Sequence, residues 1–222
     1  MEFISVFDVI GPNMIGPSSS HTAGAVSIAL MARKMFARPI AKVTFTLYGS
    51  FAKTYRGHGT DRALLGGTLG FATDDTRIRD AFAIAEKEGL DYLYKIDNRT
   101  KVKHPNTADI LLESADGESL LVRGESIGGG KIRIAQIDHI DVDFTGEYST
   151  LIIRQIDHPG VLVHITKCLS DNNVNIAYMR LFREEKGGRA FSVVESDEPI
   201  PPAIIDKMKD NPNIRDIMLI EM

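Results

Sequence analysis

The sequence predicts an α+β protein of two domains, spanning residues 1–145 and 146–222. A chain of 222 residues accommodates one large domain or two modest ones, at roughly 100–200 residues per domain. Helical and strand-like hydrophobic patterns alternate along the chain, and a turn-like break at Thr145-Gly146-Glu147 separates them into two groups. The second group follows the order βαββαβ, so we expect an α/β domain followed by a ferredoxin-like domain.

Hydrophobic periodicity predicts the elements of the first domain. Apolar residues at i, i+3, i+4, i+7 and i+10 predict a helix after residue 22. This apolar face consists of Ala25, Ile28, Ala29, Ala32 and Met35. Pro39 is expected to end the helix, and strict alternation predicts a strand over 42–48. Further helices are predicted at 62–69 and 76–88, the second between Asp75 and Gly89, and further strands at 92–96, 108–114, 119–122 and 131–138.

The second domain has a similarly regular pattern. Strands are predicted at 149–156, 174–183, 189–196 and 214–220, and helices at 160–171 and 200–209. Runs rich in β-branched residues support the strands. Gly187-Gly188 predicts the turn between the second and third strands.

Composition and charge exclude several classes of protein. Hydrophobic residues make up 43% of the chain and charged residues 25%, as in ordinary globular proteins. No run of about 18 apolar residues predicts a membrane span, and the segment Met1 to Asp8 has no basic start typical of a secretory signal. The net charge of −4 and the sequence pI of about 5.9 argue against nucleic-acid binding.

The single cysteine, Cys168, excludes an internal disulfide and favours a reducing compartment, the cytoplasm. One cysteine also does not ligate a zinc ion or an iron–sulfur cluster by itself. Because Cys168 lies in an apolar helical pattern, we interpret it as a small buried hydrophobe. The absence of HxH and HxxxH pairs argues against a zinc site within this chain.

The most specific motif is a loop that runs from Gly11 to Ala25 and contains Ser18-Ser19-Ser20-His21-Thr22. It delivers hydroxyl groups and an imidazole to a predicted helix start, where free N–H groups favour a carboxylate or phosphate. His21 beside such an anion site is suited to act as a general base. The alternative is that Ser20 or Thr22 only caps the helix and that His21 is a surface residue.

Two further polar loops have the same character. Gly57-His58-Gly59-Thr60-Asp61 combines glycines with polar side chains before a helix, and His104-Pro105-Asn106-Thr107 precedes a strand. Each has a structural alternative, Asp61 as a helix cap and the second loop as a plain turn. Gly128-Gly129-Gly130 lacks the strand and helix of a phosphate-binding loop, so we interpret it as a flexible connection or bulge.

Together, these three loops strongly resemble the β domain of the bacterial iron–sulfur-dependent L-serine dehydratases. The second domain resembles an ACT domain, through Asp157-His158-Pro159-Gly160-Val161-Leu162 and Asn172-Asn173-Val174-Asn175-Ile176. The resemblance covers nearly the whole chain and is closest to the separate β subunit of two-chain enzymes. A second resemblance, to the allosteric substrate-binding and ACT domains of phosphoglycerate dehydrogenase, implies instead a serine-sensing module without chemistry.

The first resemblance implies a lyase that converts L-serine to pyruvate and ammonia without pyridoxal phosphate. A 4Fe–4S cluster, held by cysteines of a separate α subunit, would act as Lewis acid on the substrate hydroxyl. The resemblance makes His21 the candidate base. It implies substrate-binding roles for Ser18, Ser19, Ser20, Thr22, His58, Gly59, Thr60, Asp61, His104, Asn106 and Thr107.

The ACT resemblance implies self-association and a possible effector site for L-serine. That site would use Asp157, Pro159, Gly160, Val161, Asn175 and Ile176. Because ACT domains also serve as plain dimerisation modules, both interpretations stay open. Unpaired strand edges favour at least two copies of this chain per particle.

Overall fold

A computed structural model describes residues 13–221 of the chain. Gly11, Pro12 and the segment Met1 to Asp8 therefore lie outside the described residues. The chain divides into two compact units between His139 and Ile140. The predicted boundary, after residue 145, lies a few residues later. The difference is strand β6 (Ile140–Phe144), which was not predicted and which belongs to the second unit.

Within residues 13–139, the first unit combines four α-helices with a mixed β-sheet. The helices are α1 (Gly24–Phe36), α2 (Gly49–Thr54), α3 (Thr60–Leu69) and α4 (Ala81–Glu88). The strands are β1 (Lys42–Tyr48), β2 (Asp91–Asp97), β3 (Thr107–Glu113), β4 (Ser119–Gly128) and β5 (Lys131–Ile137). These strands lie in the order β2-β1-β3-β4-β5. Strands β1 and β2 are parallel, whereas the other neighbouring strands are antiparallel.

Helix α1 is the central helix of this unit, and all five residues of its predicted apolar face are buried. It packs on β4 and α3. A Cβ atom at Gly124 of β4 would lie 2.9 Å from Ile28 Cγ1, so glycine permits this close approach. The helix ends before Pro39, because Ala37 adopts a left-handed conformation with φ 49°. This packing fixes the start of α1, where the serines and His21 lie.

Several local predictions need correction. The helix predicted at 76–88 begins as a 3₁₀ turn, Thr76–Asp80, and only Ala81–Glu88 is α-helical. Helix α2 was not predicted, and β4 extends to Gly128, beyond the strand predicted at 119–122. The three glycines at 128–130 form the tight β4–β5 turn, with φ values of 109°, 59° and 82°.

The second unit has the predicted βαββαβ order. After β6 come β7 (Ser149–Ile156), α5 (Val161–Ser170), β8 (Tyr178–Arg183), β9 (Arg189–Ser196), α6 (Ala203–Lys209) and β10 (Ile214–Ile220). The four strands β10-β7-β9-β8 form an antiparallel sheet, which confirms the ferredoxin-like prediction. Strand β8 begins at Tyr178, later than the predicted residue 174.

The core of the second unit is apolar and includes the cysteine. Cys168 is 8% exposed and packs in one cluster with residues such as Ile165 and Leu169, as expected for a buried hydrophobe. Within residues 13–221, no helix is both long enough and apolar enough to cross a membrane.

Candidate active site

His21 lies in a π-helical turn, Ser19–Ala23, that leads directly into α1. Ser18 caps this turn, because its Oγ accepts a hydrogen bond from the His21 backbone N–H at 3.2 Å. The same Oγ lies 3.4 Å from His21 Nδ1. On the other side of the ring, His21 Nε2 lies 2.9 Å from Ser50 Oγ at the start of α2. Two hydroxyl groups therefore hold the imidazole in one orientation.

Aromatic rings complete the surroundings of His21. The ring of Phe51 packs edge-on against it at a centroid distance of 5.5 Å, and the ring of His58 does so at 4.7 Å. Burial, and secondarily the neighbouring His58, lower the pKa of His21 below its ordinary value of 6.5. The neutral imidazole, which is the form that a base needs, is favoured near neutral pH.

The Gly57–Asp61 loop contacts the turn that carries His21 through a backbone carbonyl group. Thr22 Oγ1 donates a hydrogen bond to His58 O at 3.1 Å, which ties the loop to the start of α1. Gly59 has φ 69° and directly precedes α3. Two buried atoms of this loop, His58 Nδ1 and Thr60 Oγ1, have no hydrogen-bond partner among the described residues.

The His104–Thr107 loop lies against α2. Its Pro105 O accepts a hydrogen bond from Ser50 N at 2.7 Å, so this loop positions the serine that contacts His21. His104 Nδ1 accepts from Asn106 N at 3.2 Å, and Thr107 Oγ1 donates to His104 O at 2.6 Å. His104 and Thr107 thus stabilise the turn itself, whereas Asn106 Oδ1 is buried without a partner in the described part of the chain.

Ser126 of β4 is a candidate site residue that no motif in the sequence predicted. It is fully buried, its N–H donates to Asn106 O at 2.9 Å, and its Oγ has no partner within residues 13–221. Gly24 makes room for it, because a Cβ at that position would lie 2.7 Å from Ser126 Cβ and closer still to its Oγ. No local motif marks Ser126, so only the packing of α1 on β4 reveals it.

A cavity of about 570 Å³ opens beside the two loops. Its walls consist of Ile15, Gly16, Pro17, Thr22, Arg56, Gly57, His58, Gly59, Asp61, Arg62, Ile78, Arg79 and Phe82. Four predicted site residues belong to this lining, namely Thr22, His58, Gly59 and Asp61. The other predicted residues of the first unit, including His21, do not belong to it. The three arginines were not predicted.

Asp61 is the carboxylate of this cavity wall. Its Oδ1 accepts a hydrogen bond from Arg62 N at 2.8 Å. Burial raises the pKa of Asp61, although the nearby charges of Arg62 and Arg56 act in the opposite direction. Tyr94 OH donates to the backbone oxygen of Asp61 at 2.6 Å, which anchors the start of α3 to β2.

The predicted effector residues of the second unit differ from one another in surroundings. Asp157 Oδ2 accepts hydrogen bonds from an Arg183 guanidinium nitrogen at 2.9 Å and from Gly187 N at 3.2 Å. These bonds lower the pKa of Asp157. Gly160 has φ 92° and starts α5, whose first residue, Val161, is buried in the core.

The remaining effector candidates lie nearer the surface. Pro159 and Asn175 are exposed, and Ile176 packs partly buried against the core. The backbone N–H of Asn175 donates to Glu198 Oε2 at 3.2 Å. In this arrangement, Val161 and Ile176 stabilise the unit through their side chains.

Residues 13–221 do not form an iron–sulfur site by themselves. The described part of the chain contains no group of three or more His, Cys, Asp or Glu side chains placed to hold a metal ion. The only cysteine, Cys168, is buried in the second unit, and burial raises the pKa of its thiol. A cluster would therefore need ligands from outside the described residues.

Fold and site together define a two-unit α+β protein, with a cluster of histidine and hydroxyl side chains around His21 in the first unit and a ferredoxin-like second unit. Residues 5–136 match the family model of the serine dehydratase beta chain, and residues 149–213 match the ACT domain. The chain belongs to the serine dehydratase beta chain family, which confirms the resemblance based on the motifs.

Individual relatives agree with the family match. The chain is 41% identical, over 96% of its length, to the probable L-serine dehydratase beta chain of Bacillus subtilis, of which the match covers 96%. It is 40% identical, over 90% of its length, to the L-serine dehydratase beta chain of Peptoniphilus asaccharolyticus, of which the match covers 90%. The D-3-phosphoglycerate dehydrogenase of Methanocaldococcus jannaschii is a more distant relative, 32% identical over 54% of this chain and 22% of that protein.

Proposed function

We propose that this chain is the β subunit of a two-chain L-serine dehydratase, an L-serine ammonia-lyase that forms pyruvate and ammonia in the cytoplasm. The observation that carries the proposal is His21, an imidazole favoured in its neutral form and held by Ser18 and Ser50 in a chain whose relatives are named L-serine dehydratase beta chains. Activity would require the α subunit.

The 4Fe–4S cluster implied by the family would be held by the α subunit, since this chain has one cysteine, which is buried. When bound, such a cluster supplies a Lewis acid for the hydroxyl group of the substrate. Pyridoxal phosphate has no role in this proposal.

His21 takes up the proton from the α-carbon of L-serine. Its Nδ1 is the less engaged ring nitrogen, at 3.4 Å from Ser18 Oγ, whereas Nε2 is held at 2.9 Å by Ser50. A neutral imidazole with one firmly held nitrogen keeps the other available as acceptor. His58 is the strongest competitor for this role, because it lines the cavity and its ring touches His21.

The hydroxyl and amide groups around His21 would orient the substrate. Asn106 Oδ1, Ser126 Oγ and Thr60 Oγ1 are buried without partners in the described structure. Leaving such groups unpaired costs roughly 1–3 kcal/mol each, so a bound ligand, an ordered water or a partner subunit is expected to satisfy them. Ser19, Ser20, Gly59 and the His104 loop complete this proposed substrate site.

The second unit would mediate self-association and bind an effector such as L-serine. Strand β8 is an edge of its sheet and exposes Tyr178 by 53% and Leu181 by 38%. An exposed apolar edge favours pairing with a second copy. We propose at least two copies of this chain per particle, with Asp157, Gly160 and Asn175 at the effector site.

Reconstitution tests the catalytic proposal. The purified chain should be colourless and inactive, and anaerobic mixing with a cysteine-bearing α chain should give serine-dependent pyruvate formation. Turnover by the β chain freed of any α chain would refute the proposal. Light scattering of the β chain at high concentration tests self-association, and a monomer under these conditions would contradict it.

A second candidate function is a serine-sensing module without chemistry. The match to phosphoglycerate dehydrogenase favours it, because that match covers 54% of this chain. Binding of L-serine by the chain, with no pyruvate formed in the presence of any cysteine-bearing α chain, would support this candidate instead.

A further inference from the structure

Asp109 is a buried carboxylate of the first unit that the proposed catalytic step does not use. It lies on β3 and is 9% exposed. Its Oδ2 accepts hydrogen bonds from Tyr48 OH at 2.8 Å and Arg123 Nη2 at 2.7 Å, and its Oδ1 accepts one from Arg123 Nε at 2.6 Å. Because Tyr48 ends β1 and Arg123 lies on β4, this Asp109 cluster of three side chains joins three neighbouring strands.

The hydrogen bonds of the Asp109 cluster are of a kind that fixes geometry. Arg123 binds the carboxylate through two charge-assisted bonds, which add geometric specificity as well as strength. Burial raises the pKa of Tyr48 to about 12, and the bond to Asp109 adds to this rise, so the hydroxyl group stays protonated as a donor. A slip of one residue between these strands would turn the side chains to opposite faces and break the cluster.

A gain in stability does not by itself account for charges at this place. A buried ion pair adds little stability compared with apolar side chains of similar volume, because the cost of removing the charges from water offsets their attraction. Along the same two strands, Phe45 of β1 and Ile110 of β3 lie opposite each other and are fully buried. Such apolar pairs stabilise the sheet, whereas the Asp109 cluster adds directional contacts.

Two of the joined strands adjoin the residues that hold His21. Tyr48 is the last residue of β1, and Ser50, at the start of α2, places its Oγ 2.9 Å from His21 Nε2. The N–H of Ser50 donates to Pro105 O at 2.7 Å, in the loop that leads into β3. By joining Tyr48 to β3, Asp109 fixes the end of β1 relative to this loop and thereby fixes the place of the Ser50 hydroxyl group.

The third strand carries Ser126, whose N–H donates to Asn106 O and so continues the pairing of β3 with β4 into the same loop. Gly124 and Ser126 pack against α1. Arg123 points to the opposite face, because successive residues of a strand alternate between faces. The Asp109 cluster therefore lies behind the candidate site and acts on His21 only through the strands.

We infer that Asp109, together with Tyr48 and Arg123, is a positioning residue that holds the Ser50 hydroxyl group at His21. The role of His21 as the base rests on the proposed function, but the position of its ring does not. Without the cluster, the end of β1 shifts relative to the loop before β3. A misplacement of about 1 Å caused by a distant substitution costs up to about 100-fold in rate.

NMR of the full-length chain tests the position of the ring directly. Tyr48→Phe removes only a hydroxyl group, and Asp109→Asn removes the charge at nearly the same size. Both should change the chemical shifts of the His21 ring nitrogens in the same direction as Ser50→Ala does. Ile110→Val is the matched control, because it destabilises the same strand by removing a buried methylene group and should leave the His21 signals in place.

Kinetics of the enzyme reconstituted with the α chain tests the consequence. Asp109→Asn should lower kcat by about tenfold or more with a nearly unchanged Michaelis constant, because only an interaction made in the transition state is lost. The decisive variant combines Asp109→Asn with Ser50→Ala. Once Ser50 has no hydroxyl group to position, Asp109→Asn should lower kcat by less than about twofold, since residues of one network are not additive.

Two results would overturn the inference. One is a set of His21 ring signals that stays unchanged in Tyr48→Phe and Asp109→Asn while stability in urea falls, which would make the cluster purely structural. The other is a pair of losses in kcat that multiply in the double variant, which would show that Asp109 acts independently of Ser50.

The outcome does not depend on one variant or on the proposed activity. Should Asp109→Asn fail to fold, Tyr48→Phe takes its place in both tests. Absence of pyruvate formation by the native pair of chains would refute the proposed function, and the NMR comparison of the chain alone would still decide whether the Asp109 cluster positions His21.

Discussion

The His21 site of the first unit and the Asp157 loop of the second unit are both polar segments at helix starts, yet they differ in how their polar groups are satisfied. Around His21, the buried atoms Asn106 Oδ1 and Ser126 Oγ lack partners in the described structure. In the second unit, the Asp157 carboxylate already accepts hydrogen bonds from Arg183 and Gly187.

This difference has energetic consequences. Unpaired buried polar groups lower stability, so they persist where a ligand, ordered water or partner satisfies them. The loop of the second unit is stable with its own hydrogen bonds, and a ligand there would compete with Arg183 for Asp157. We therefore expect substitutions in the first unit to change function most and substitutions in the second unit to change it least.

The largest effect is expected for His21→Ala. Loss of a general base lowers turnover by roughly 10²–10⁴-fold, while association with the α chain should remain intact. Steady-state kinetics of the reconstituted enzyme measures this effect. Near-native turnover with a raised Michaelis constant would show that His21 only binds substrate and would move the base to His58, His104 or the α chain.

Gly24→Ala should destabilise the first unit, because the added methyl group would overlap Ser126. Overpacking of this kind costs about 1–3 kcal/mol, measured as a lower free energy of unfolding in urea. Gly57→Ala is the matched control, since its Cβ would meet nothing closer than 3.7 Å. Adding Ser126→Gly should restore part of the loss, and no restoration would contradict this explanation.

Ser50→Ala should lower turnover by about tenfold, which corresponds to the loss of one hydrogen bond to His21 Nε2. The NMR chemical shifts of the His21 ring nitrogens, measured on the chain alone, should also change. Ser50→Thr keeps the hydroxyl and should retain most of the activity. If Ser50→Ala left both the NMR signals and the turnover unchanged, the hydrogen bond would have no role in positioning His21.

The pH dependence tests the surroundings of His21. Since burial and His58 lower its pKa, activity should persist below pH 6.5 and fall as the pH drops through the lowered pKa. The same shift makes protonation favour the unfolded state, so stability also falls as the pH decreases below about 6.5. His58→Gln should move the acid limb to higher pH, and a limb that stays in place would exclude His58 as a cause.

The smallest effect is expected in the second unit. Asn175 is exposed, so Asn175→Ala should change the free energy of unfolding by no more than about 0.5 kcal/mol. If an effector binds in the second unit, the heat of L-serine binding to the native chain should be lost with Asn175→Ala. Heat that persists would show that Asn175 does not contact an effector.

Local sequence patterns determined much of the fold. The spacing of Ala25, Ile28 and Met35 predicted the buried face of α1, and all three are at most 1% exposed. Alternating apolar residues likewise predicted β1 and the βαββαβ order of the second unit. These predictions succeeded because helix and strand periodicities are short-range properties that do not depend on distant contacts.

Local sequence patterns predicted only part of the candidate site. The motif around His21 predicted an imidazole at a helix start, but Ser50 lies on a short helix with no marked periodicity, and Ser126 lies within a strand. Thr107, predicted to bind the substrate, donates its hydroxyl hydrogen bond to His104 O within its own loop. Side chains far apart in sequence become neighbours only when α1, α2 and the sheet pack together.

The sequence by itself thus determined the two domains, the family and the histidine-bearing loops, because motifs and periodicity depend only on residues that are close together in the sequence. Only the tertiary structure decided which polar atoms are buried without partners and which charges share one cavity. Arg56 and Arg79 lie 23 positions apart in the numbering, yet both line the wall that contains Asp61. Packing of non-adjacent segments creates that juxtaposition, and no local pattern encodes it.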